Sequence, residues 1–337
     1  MPDIPVLLTM RFPDPLVERL RAVSPRLRID VHPAASGEDL PEALLADVEV
    51  LYTARALPAP EAVPSLRWIQ FHYAGIDHVA DHPLLRSGIK ITTLSGAAVP
   101  QMGEFVLMCI LALGRRLPRM ERDRLEKRWA ENRFDRFRPL DLHGSTVGIV
   151  GYGSVGREVA RLCHAFGAKV LATKRNLRAP ADDGFRLEDR GDVGADVPDR
   201  LYPLQALRSM VALCDFVVLT LPLTADTRGL MSRAVLQEMK PTACLIDVSR
   251  GGVLDHNALV EALSEKRLAG AALDVYPVEP LPITSPLWEM PNVILSPHVA
   301  GASGRYFEQA TALFADNLQR YITDQPLLNV YDPQVGY

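Results

Sequence analysis

The sequence is poor in the features that mark disulfide-linked and metal-dependent proteins. Only 4 of its 337 residues are cysteine, and they are scattered through apolar segments without a C-x-x-C motif or a Cys/His cluster. This distribution favours buried free thiols in a reducing compartment, and we predict neither disulfides nor a bound metal. The cysteines are Cys109, Cys163, Cys214 and Cys244.

Long hydrophobic runs and an excess of one charge are also missing. The most apolar internal run, residues 105–113, is far shorter than the ~20 residues of a membrane span. The N-terminal stretch MPDIPVLLTM has no basic start followed by a long apolar core. A net charge of -4 gives no general attraction to nucleic acid or to an anionic membrane. We therefore expect a cytoplasmic protein with no nucleic-acid or membrane partner.

The chain is long enough for two domains, and its hydrophobic pattern divides it accordingly. Short apolar runs alternate with helical patterns over residues 1–99, which predicts βα units around a parallel sheet. Residues 101–117 are apolar on nearly every face and predict a buried helix between the domains. Residues 119–138 carry many charges and three large aromatic side chains, which is typical of a solvated helix face or of an arm that contacts a partner.

The strongest motif is the segment STVGIVGYGSVG at residues 145–156. An apolar run turns at Gly151 into G-Y-G-S-V-G, and the helical spacing of apolar residues follows over 157–166. In such a strand, turn and helix, Gly151 permits the tight turn, Gly153 lets the backbone approach a pyrophosphate, and Gly156 lets the helix pack on the strand. The segment therefore predicts dinucleotide binding, with phosphates at the helix N-terminus.

The next predicted strand, 169–173, ends in Lys174, Arg175 and Asn176. An NAD site usually has a carboxylate about 20 positions after the glycine motif. Here two cations stand at that place, and cations pair with the 2′-phosphate of NADP. We therefore favour NADP(H) as cofactor and keep NAD(H) as the alternative. Residues 177–202 follow as an irregular, polar insertion with a solvated surface of carboxylates.

Three later strand ends carry groups suited to catalysis. Arg250 follows the strand at 243–248, Glu279 lies after the strand at 269–275, and His298 follows the strand at 293–296. Ligands bind at the carboxyl ends of parallel strands, so these side chains should converge where the nicotinamide would lie. An imidazole with a carboxylate partner is a general acid/base, and a guanidinium suits a carboxylate or polarised carbonyl. The pattern predicts hydride transfer.

The glycine motif and four further segments resemble the D-isomer-specific 2-hydroxyacid dehydrogenase family. These segments are HYAGIDHV (72–79), SGAAVPQMGEFVL (95–107), LIDVSRGGVLDHNALVEAL (245–263) and LWEMPNVILSPHVAG (287–301). The resemblance implies that Arg250 grips the substrate, Glu279 pairs with His298, and His298 exchanges the proton of the carbonyl oxygen. It also implies a backbone cradle for the substrate carboxylate at Ala74, Gly75 and Ile76. Asp274 resembles the carboxylate that holds the nicotinamide amide.

The resemblance further implies an α/β fold of two Rossmann-like parallel-sheet domains, with the dinucleotide-binding domain inserted in a flavodoxin-like substrate domain. We place the substrate domain at 1–98 plus 302–337 and the cofactor domain at 99–301, and we expect a homodimer formed through the cofactor domains. The full set of predicted cofactor-binding residues is Gly151, Tyr152, Gly153, Ser154, Val155, Gly156, Lys174, Arg175, Leu221, Pro222, Thr227, Val248, Ser249, Asp274, His298 and Gly301.

The predicted activity is reduction of a small 2-oxo acid such as glyoxylate or hydroxypyruvate, reversible on the D-2-hydroxy acid. Two alternatives stay open: a phosphite or formate dehydrogenase-like enzyme, and a nucleotide-sensing, corepressor-like binding protein. The complete set of Arg250, Glu279 and His298 favours an enzyme over the binding protein.

Overall fold

The computed structural model describes residues 2–182, 184–187, 190–333 and 336. The chain forms two compact units. Unit 1 comprises Met1–Ala98, Gly184–Leu187 and Ser303–Tyr337, and unit 2 comprises Val99–Asp183 and Glu188–Ala302. These units differ from the predicted domain bounds at Ala302 and in a short piece of the insertion, 184–187, which belongs to unit 1.

The regular elements alternate along most of the chain. The strands are β1 (Ile4–Leu8), β2 (Leu27–Val31), β3 (Val50–Thr53), β4 (Trp68–Phe71), β5 (Lys90–Thr92), β6 (Thr146–Val150), β7 (Lys169–Thr173), β8 (Arg200–Tyr202), β9 (Phe216–Leu219), β10 (Cys244–Asp247), β11 (Gly270–Leu273) and β12 (Val293–Leu295). The α-helices are α1 (Asp14–Arg21), α2 (Glu42–Leu45), α3 (Val99–Gly114), α4 (Leu117–Leu125), α5 (Arg133–Arg136), α6 (Ser154–Ala165), α7 (Leu207–Val211), α8 (Arg233–Leu236), α9 (His256–Ser264) and α10 (Tyr306–Ile322).

Unit 1 is built on a five-stranded parallel sheet in the order β2-β1-β3-β4-β5. Every residue of β3 and β4 is buried, as expected of parallel strands that are covered on both faces. One hydrophobic cluster includes Leu51, Ile69 and Phe71, and a second places Trp68 against Phe314 of α10. The predicted parallel sheet of the first domain is confirmed.

Unit 2 is built on a seven-stranded parallel sheet in the order β12-β11-β10-β9-β6-β7-β8. The chain starts at β6 in the middle, runs outward to β8, and returns to β9 on the other side of β6. This reversal of strand order creates a crevice at the carboxyl ends of β6 and β9, where parallel sheets bind ligands. The fold class predicted from the sequence is confirmed.

The insertion between β7 and β8 differs from the prediction in two respects. Its last residues, 200–202, form strand β8 on the sheet edge, although the polar sequence indicated only irregular structure. Asp192 was expected on a solvated surface, but it is only 7% exposed and accepts a hydrogen bond of 2.5 Å from Tyr152. Residues 183, 188 and 189 of the predicted insertion lie outside the described residues.

Two consecutive charged residues at the start of α6 hold this insertion. Arg157 is 1% exposed, donates to the carbonyl oxygens of Pro180 and Asp192, and lies 4.7 Å above the Tyr152 ring. Glu158 is equally buried and accepts hydrogen bonds from Arg161 and from the Gly191 amide at 2.8 Å. Buried charges need such partners because desolvation disfavours an unpaired ion. The parts of the insertion around Pro180 and around Gly191 and Asp192 are therefore packed into unit 2 beside the glycine turn.

Candidate active site

The glycine motif forms the predicted turn between β6 and α6, and neighbouring strands fix it. The amide of Gly151 donates to Thr173 Oγ1 at 3.0 Å, and the amide of Tyr152 donates to the Thr173 carbonyl at 2.9 Å. Thr220 Oγ1 donates to the Gly151 carbonyl at 2.7 Å. The motif did not reveal Thr173 and Thr220, although both occupy the strand-end position where such groups are expected.

The three glycines fit a dinucleotide for different steric reasons. Gly151 has φ +109°, a conformation that side chains rarely permit. A Cβ at Gly156 would overlap the Gly151 carbonyl, so helix and strand pack too closely for any other residue. A Cβ at Gly153 would meet no atom within 4 Å, which leaves open space at the N-terminus of α6. That space and the free end of the helix suit a pyrophosphate.

The other predicted cofactor residues lie around this turn at the carboxyl edge of the sheet. Lys174 and Arg175 directly follow β7, and Leu221 and Pro222 follow β9 beside Gly151. Some side chains are engaged within the protein: Thr227 Oγ1 donates to the Pro222 carbonyl at 2.7 Å and is buried. Val248 is buried, and the Gly301 carbonyl accepts from Gln101 Nε2 at 3.3 Å. Cofactor binding by the whole set stays a prediction.

Arg250 leaves the end of β10 on a loop that packs against the loop carrying Glu279. Its Nη1 donates to the Ser249 carbonyl at 2.8 Å. A Cβ at the next residue, Gly251, would overlap the carbonyl of Tyr276. Only glycine lets these two backbones approach so closely. The contact brings the predicted substrate-binding arginine and the predicted acidic residue onto neighbouring loops.

Asp247, which the sequence analysis missed, stabilises the Arg250 loop through hydrogen bonds with Ser249. It is fully buried, and its Oδ1 accepts from the Ser249 amide at 2.9 Å and from Ser249 Oγ at 2.5 Å. Its Oδ2 is buried without a hydrogen-bond partner in the described part of the chain. Burial raises the pKa of the Asp247 carboxyl to about 7, the Asp274 charge adds to this rise, and the Ser249 hydrogen bonds and Arg250 oppose it.

Replacement of Asp247 by asparagine should change how stability depends on pH. Above pH 4 the unfolded chain ionises this carboxyl readily while the folded chain resists ionisation, so the wild-type residue destabilises the fold increasingly up to about pH 7. The advantage of Asp247→Asn over wild type should therefore grow between about pH 5 and pH 8, by up to about 3 kcal/mol. Urea unfolding at several pH values measures this, with the exposed Asp226→Asn as control. A difference that is independent of pH would contradict the raised pKa.

Asp274 fixes the segment that carries His298. Its carboxylate is 2% exposed and accepts from the amides of Val299 at 2.8 Å and Ala300 at 2.9 Å, and from Ser296 Oγ at 2.7 Å. These donors lie on both sides of His298, whose φ is +55°. The carboxylate thereby holds an unusual backbone conformation. The predicted contact of Asp274 with a nicotinamide stays a prediction.

His298 and Glu279 form a hydrogen-bonded pair, as their predicted roles require. His298 Nδ1 lies 2.8 Å from Glu279 Oε2, and the other oxygen, Oε1, accepts from the Tyr276 amide at 3.0 Å. The Tyr276 hydroxyl in turn donates to the carbonyls of Leu273 and Ser296. Because a carboxylate accepts the Nδ1 proton, Nε2 is the nitrogen left to exchange a proton with a substrate. Both side chains are partly exposed.

The predicted carboxylate cradle lies in unit 1, directly after β4. Within the described residues, the backbone amides of Ala74, Gly75 and Ile76 donate to no protein acceptor. Successive unpaired amides offer hydrogen-bond donors to an anion, and binding of the substrate carboxylate by this loop stays a prediction. The preceding His72 anchors this loop, since its Nδ1 lies 2.7 Å from the Tyr52 hydroxyl and its carbonyl accepts from the Tyr306 hydroxyl at 2.7 Å. Burial lowers the pKa of His72 to about 4, which keeps the ring neutral at physiological pH.

The four cysteines are buried and free. Among the residues that the structure describes, no group of three or more His, Cys, Asp or Glu side chains is placed to hold a metal ion. Over the same residues, no helix combines the length and apolarity that crossing a membrane requires.

Comparison with known proteins places this arrangement in a family. The profile of the D-isomer specific 2-hydroxyacid dehydrogenase NAD-binding domain matches residues 107–300, more than half of the chain. Glyoxylate reductase from Korarchaeum cryptofilum is 33% identical over 264 residues, which cover 77% of this chain and 74% of that protein.

Solved structures agree over nearly the whole length. A D-isomer specific 2-hydroxyacid dehydrogenase from Xanthobacter autotrophicus Py2, in complex with NADPH and MES, has a TM-score of 0.78 and 29% identity, with 100% of each chain covered. An NADPH-dependent glyoxylate/hydroxypyruvate reductase from Sinorhizobium meliloti, in complex with NADP and sulfate, has a TM-score of 0.79 and 26% identity, covering 99% of this chain and 100% of that one.

The fold and the matches define a nicotinamide-dinucleotide-dependent oxidoreductase. Its predicted catalytic groups lie at the carboxyl edge of the cofactor-domain sheet. The chain belongs to the D-isomer-specific 2-hydroxyacid dehydrogenase family, as its motifs indicated. It is an NAD(P)-dependent 2-hydroxyacid dehydrogenase that acts on a small molecule.

Proposed function

We propose that this enzyme reduces small 2-oxo acids of the glyoxylate and hydroxypyruvate type with NADPH, reversibly on the D-2-hydroxy acids. The observation that carries this proposal is the hydrogen-bonded pair of His298 and Glu279, with Nδ1 and Oε2 2.8 Å apart. The pair lies at the carboxyl edge of the sheet, as does Arg250. The relatives named as glyoxylate reductases and as glyoxylate/hydroxypyruvate reductases support the substrate class.

Each catalytic group has a role that follows from its chemistry. A bound nicotinamide supplies or accepts the hydride. The Arg250 guanidinium polarises the substrate carbonyl, and the free amides of Ala74, Gly75 and Ile76 are the proposed donors to its carboxylate. His298 Nε2 gives a proton to the carbonyl oxygen in reduction and takes it back in oxidation. Glu279 holds the imidazole in one orientation and stabilises its protonated form.

The decisive assay follows absorbance at 340 nm with NADPH and, separately, NADH against glyoxylate, hydroxypyruvate, pyruvate and phenylpyruvate. Turnover of one of these acids with NADPH is the expected result. No turnover with any of them, while the nucleotide still binds, would contradict the proposal. That result would favour phosphite or formate oxidation as the activity, and after these a nucleotide-sensing role.

The proposed preference for NADPH rests on Lys174 and Arg175 at the end of β7, where a carboxylate would repel a 2′-phosphate. Lys174→Asp should weaken NADPH binding relative to NADH by about 10-fold to 100-fold, because it replaces attraction by repulsion. Fluorescence titration with both nucleotides measures the ratio. Lys169→Asp is the matched control, because Lys169 is exposed and stands at the opposite end of β7. An unchanged ratio in Lys174→Asp would show that the 2′-phosphate binds elsewhere.

We also propose that the enzyme is a homodimer that pairs through unit 2. The segment of α4 and α5 exposes large apolar side chains, with Leu125 73%, Trp129 85% and Phe134 80% exposed. Arg136 donates to both carboxylate oxygens of the buried Asp123, which gives this segment a fixed shape. Exposed aromatic clusters of this kind are typical of protein interfaces. Sedimentation as a monomer at micromolar concentration would contradict the pairing.

A further inference from the structure

Unit 1 carries two arginines beside the free amides of the 74–76 loop. Arg11 follows the end of β1 by three residues, and Arg55 follows the end of β3 by two. The two strands are neighbours with Leu8 opposite Tyr52, so the two arginines occupy the same register position beyond the sheet. The register of β3 with β4, which pairs Thr53 with Phe71, likewise gives Arg55 and Tyr73 the same position beyond the strands.

Hydrogen bonds of the adjoining residues extend the strand register by one position, to Thr9 after β1 and to His72 after β4. Thr9 Oγ1 donates to Thr53 Oγ1 at 2.8 Å, and the His72 amide donates to the Thr53 carbonyl at 2.8 Å. The Phe12 ring packs against Tyr52 with centroids 5.0 Å apart. The hydrogen bonds hold Thr9 beside Thr53, and each of these residues stands two positions before its arginine.

Residues on either side of the 74–76 loop contact residues next to Arg55 and Arg11. His78 Nε2 lies 2.9 Å from the carbonyl oxygen of Ala54, the residue before Arg55. The Phe12 ring, next to Arg11, lies 6.4 Å from the His72 ring, which precedes the cradle. The residues next to Arg55 and Arg11 therefore contact His78 and His72, which stand on either side of the 74–76 loop in the sequence.

Both guanidiniums are exposed and available to an anion. Neither Arg11 nor Arg55 forms an ion pair or a side-chain hydrogen bond with any residue that the structure describes. The carboxylates nearest to them in the sequence are Asp14 for Arg11 and Glu49 and Glu61 for Arg55, and in the described part of the chain none of these forms an ion pair with either arginine. By contrast, many exposed arginines of this chain have acidic partners, such as Arg28 with Asp3 and Arg86 with Asp81.

We propose that Arg11 and Arg55 bind a second anionic group of the substrate, so that the enzyme prefers 2-oxo acids that carry a carboxylate or phosphonate at the far end from the 2-oxo acid group. This inference rests on the proposed function, in which the 74–76 amides hold the first carboxylate. Guanidinium pairs bind carboxylate and phosphonate oxygens with charge-assisted hydrogen bonds. Their position next to the cradle suits a short, doubly anionic acid.

A matched substrate series tests the preference. Pyruvate, oxaloacetate and phosphonopyruvate share one skeleton and differ in the group on C3, while 2-oxobutyrate adds length without charge. We expect kcat/KM to be about 10-fold or more higher for at least one doubly anionic acid than for pyruvate and 2-oxobutyrate. Product analysis separates malate from the lactate that decarboxylated oxaloacetate would yield. Whether oxaloacetate or phosphonopyruvate is preferred identifies the second group as carboxylate or phosphonate.

Arginine variants locate the preference. Arg55→Gln and Arg11→Gln should each lower kcat/KM for the preferred doubly anionic acid by about 10-fold and leave pyruvate unchanged within about twofold. Arg67→Gln is the matched control. Arg67 is also exposed, but it precedes β4 and so lies at the amino ends of the strands of the same sheet. Added salt should reduce turnover of the doubly anionic acid more than that of pyruvate.

The outcomes separate this inference from the proposed function. Equal or better turnover of pyruvate and 2-oxobutyrate would overturn the second anion site and leave the 2-oxo acid reductase standing. A preference for doubly anionic acids that survives both arginine substitutions would also overturn it. Failure to reduce any member of the series, or glyoxylate, would count against the proposed function itself.

Discussion

His298→Ala should lower kcat by about 10² to 10⁴-fold, which is the range that loss of a general acid/base produces. The side chain is partly exposed, and among the residues that the structure describes its one side-chain partner is Glu279. Its removal should therefore leave the fold intact. Binding of NADPH should stay within about twofold of wild type, because the glycine turn is held by Thr173 and Thr220 and not by His298.

Steady-state kinetics with glyoxylate and fluorescence titration with NADPH measure the two effects separately. His164→Ala, which removes an exposed histidine from α6, is the control for loss of an imidazole. Glu279→Gln should cause a smaller loss than His298→Ala, because the amide still positions the ring but no longer stabilises its protonated form. An equal loss of turnover and of NADPH affinity in His298→Ala would refute the acid/base role.

Arg250→Lys should reduce kcat/KM for glyoxylate by about 10² to 10³-fold although the positive charge is kept. A guanidinium presents a planar fork to a carboxylate or carbonyl, whereas an ammonium is a point charge on a shorter stem. The loop itself should persist, since Asp247 and Ser249 fix it from one side and Gly251 packs against Tyr276 on the other.

The loss in Arg250→Lys should appear with every 2-oxo acid and with unchanged NADPH affinity. Arg208→Lys, on the exposed face of α7, tests the same substitution away from the site. If the lysine variant retained full kcat/KM, the requirement for the planar guanidinium of Arg250 would be wrong, and only its positive charge would matter.

The sequence predicted the parallel sheets because βα alternation and buried apolar runs are local signals. It also located His298 and Glu279, since both stand at strand ends where side chains must converge. It did not reveal Asp247 or Thr220, because their importance depends on which way each side chain turns in the folded chain. Asp192 was placed on the solvated surface for the same reason: a single sequence does not show that Tyr152 and Arg157 would enclose it.

Strand β8 illustrates a different limit of sequence patterns. Arg200–Tyr202 is too short and too polar to register as a strand, and it forms because β7 offers an open edge with amides and carbonyls to pair. Helix boundaries shifted by a few residues for a related reason, since the end of a helix depends on its caps and on the chain that packs over it.

The buried residues Arg157 and Glu158 have a consequence for any attempt to redesign the enzyme. Trimming the loop between β7 and β8 would remove the carbonyls that Arg157 uses and the Gly191 amide that Glu158 uses. On the helix behind the glycine turn, Arg157 would lose these acceptors and Glu158 would keep only its pairing with Arg161. A shortened loop therefore has to be transplanted together with new residues at 152, 157 and 158. For protein engineering, the insertion and the first turn of α6 form one exchangeable module.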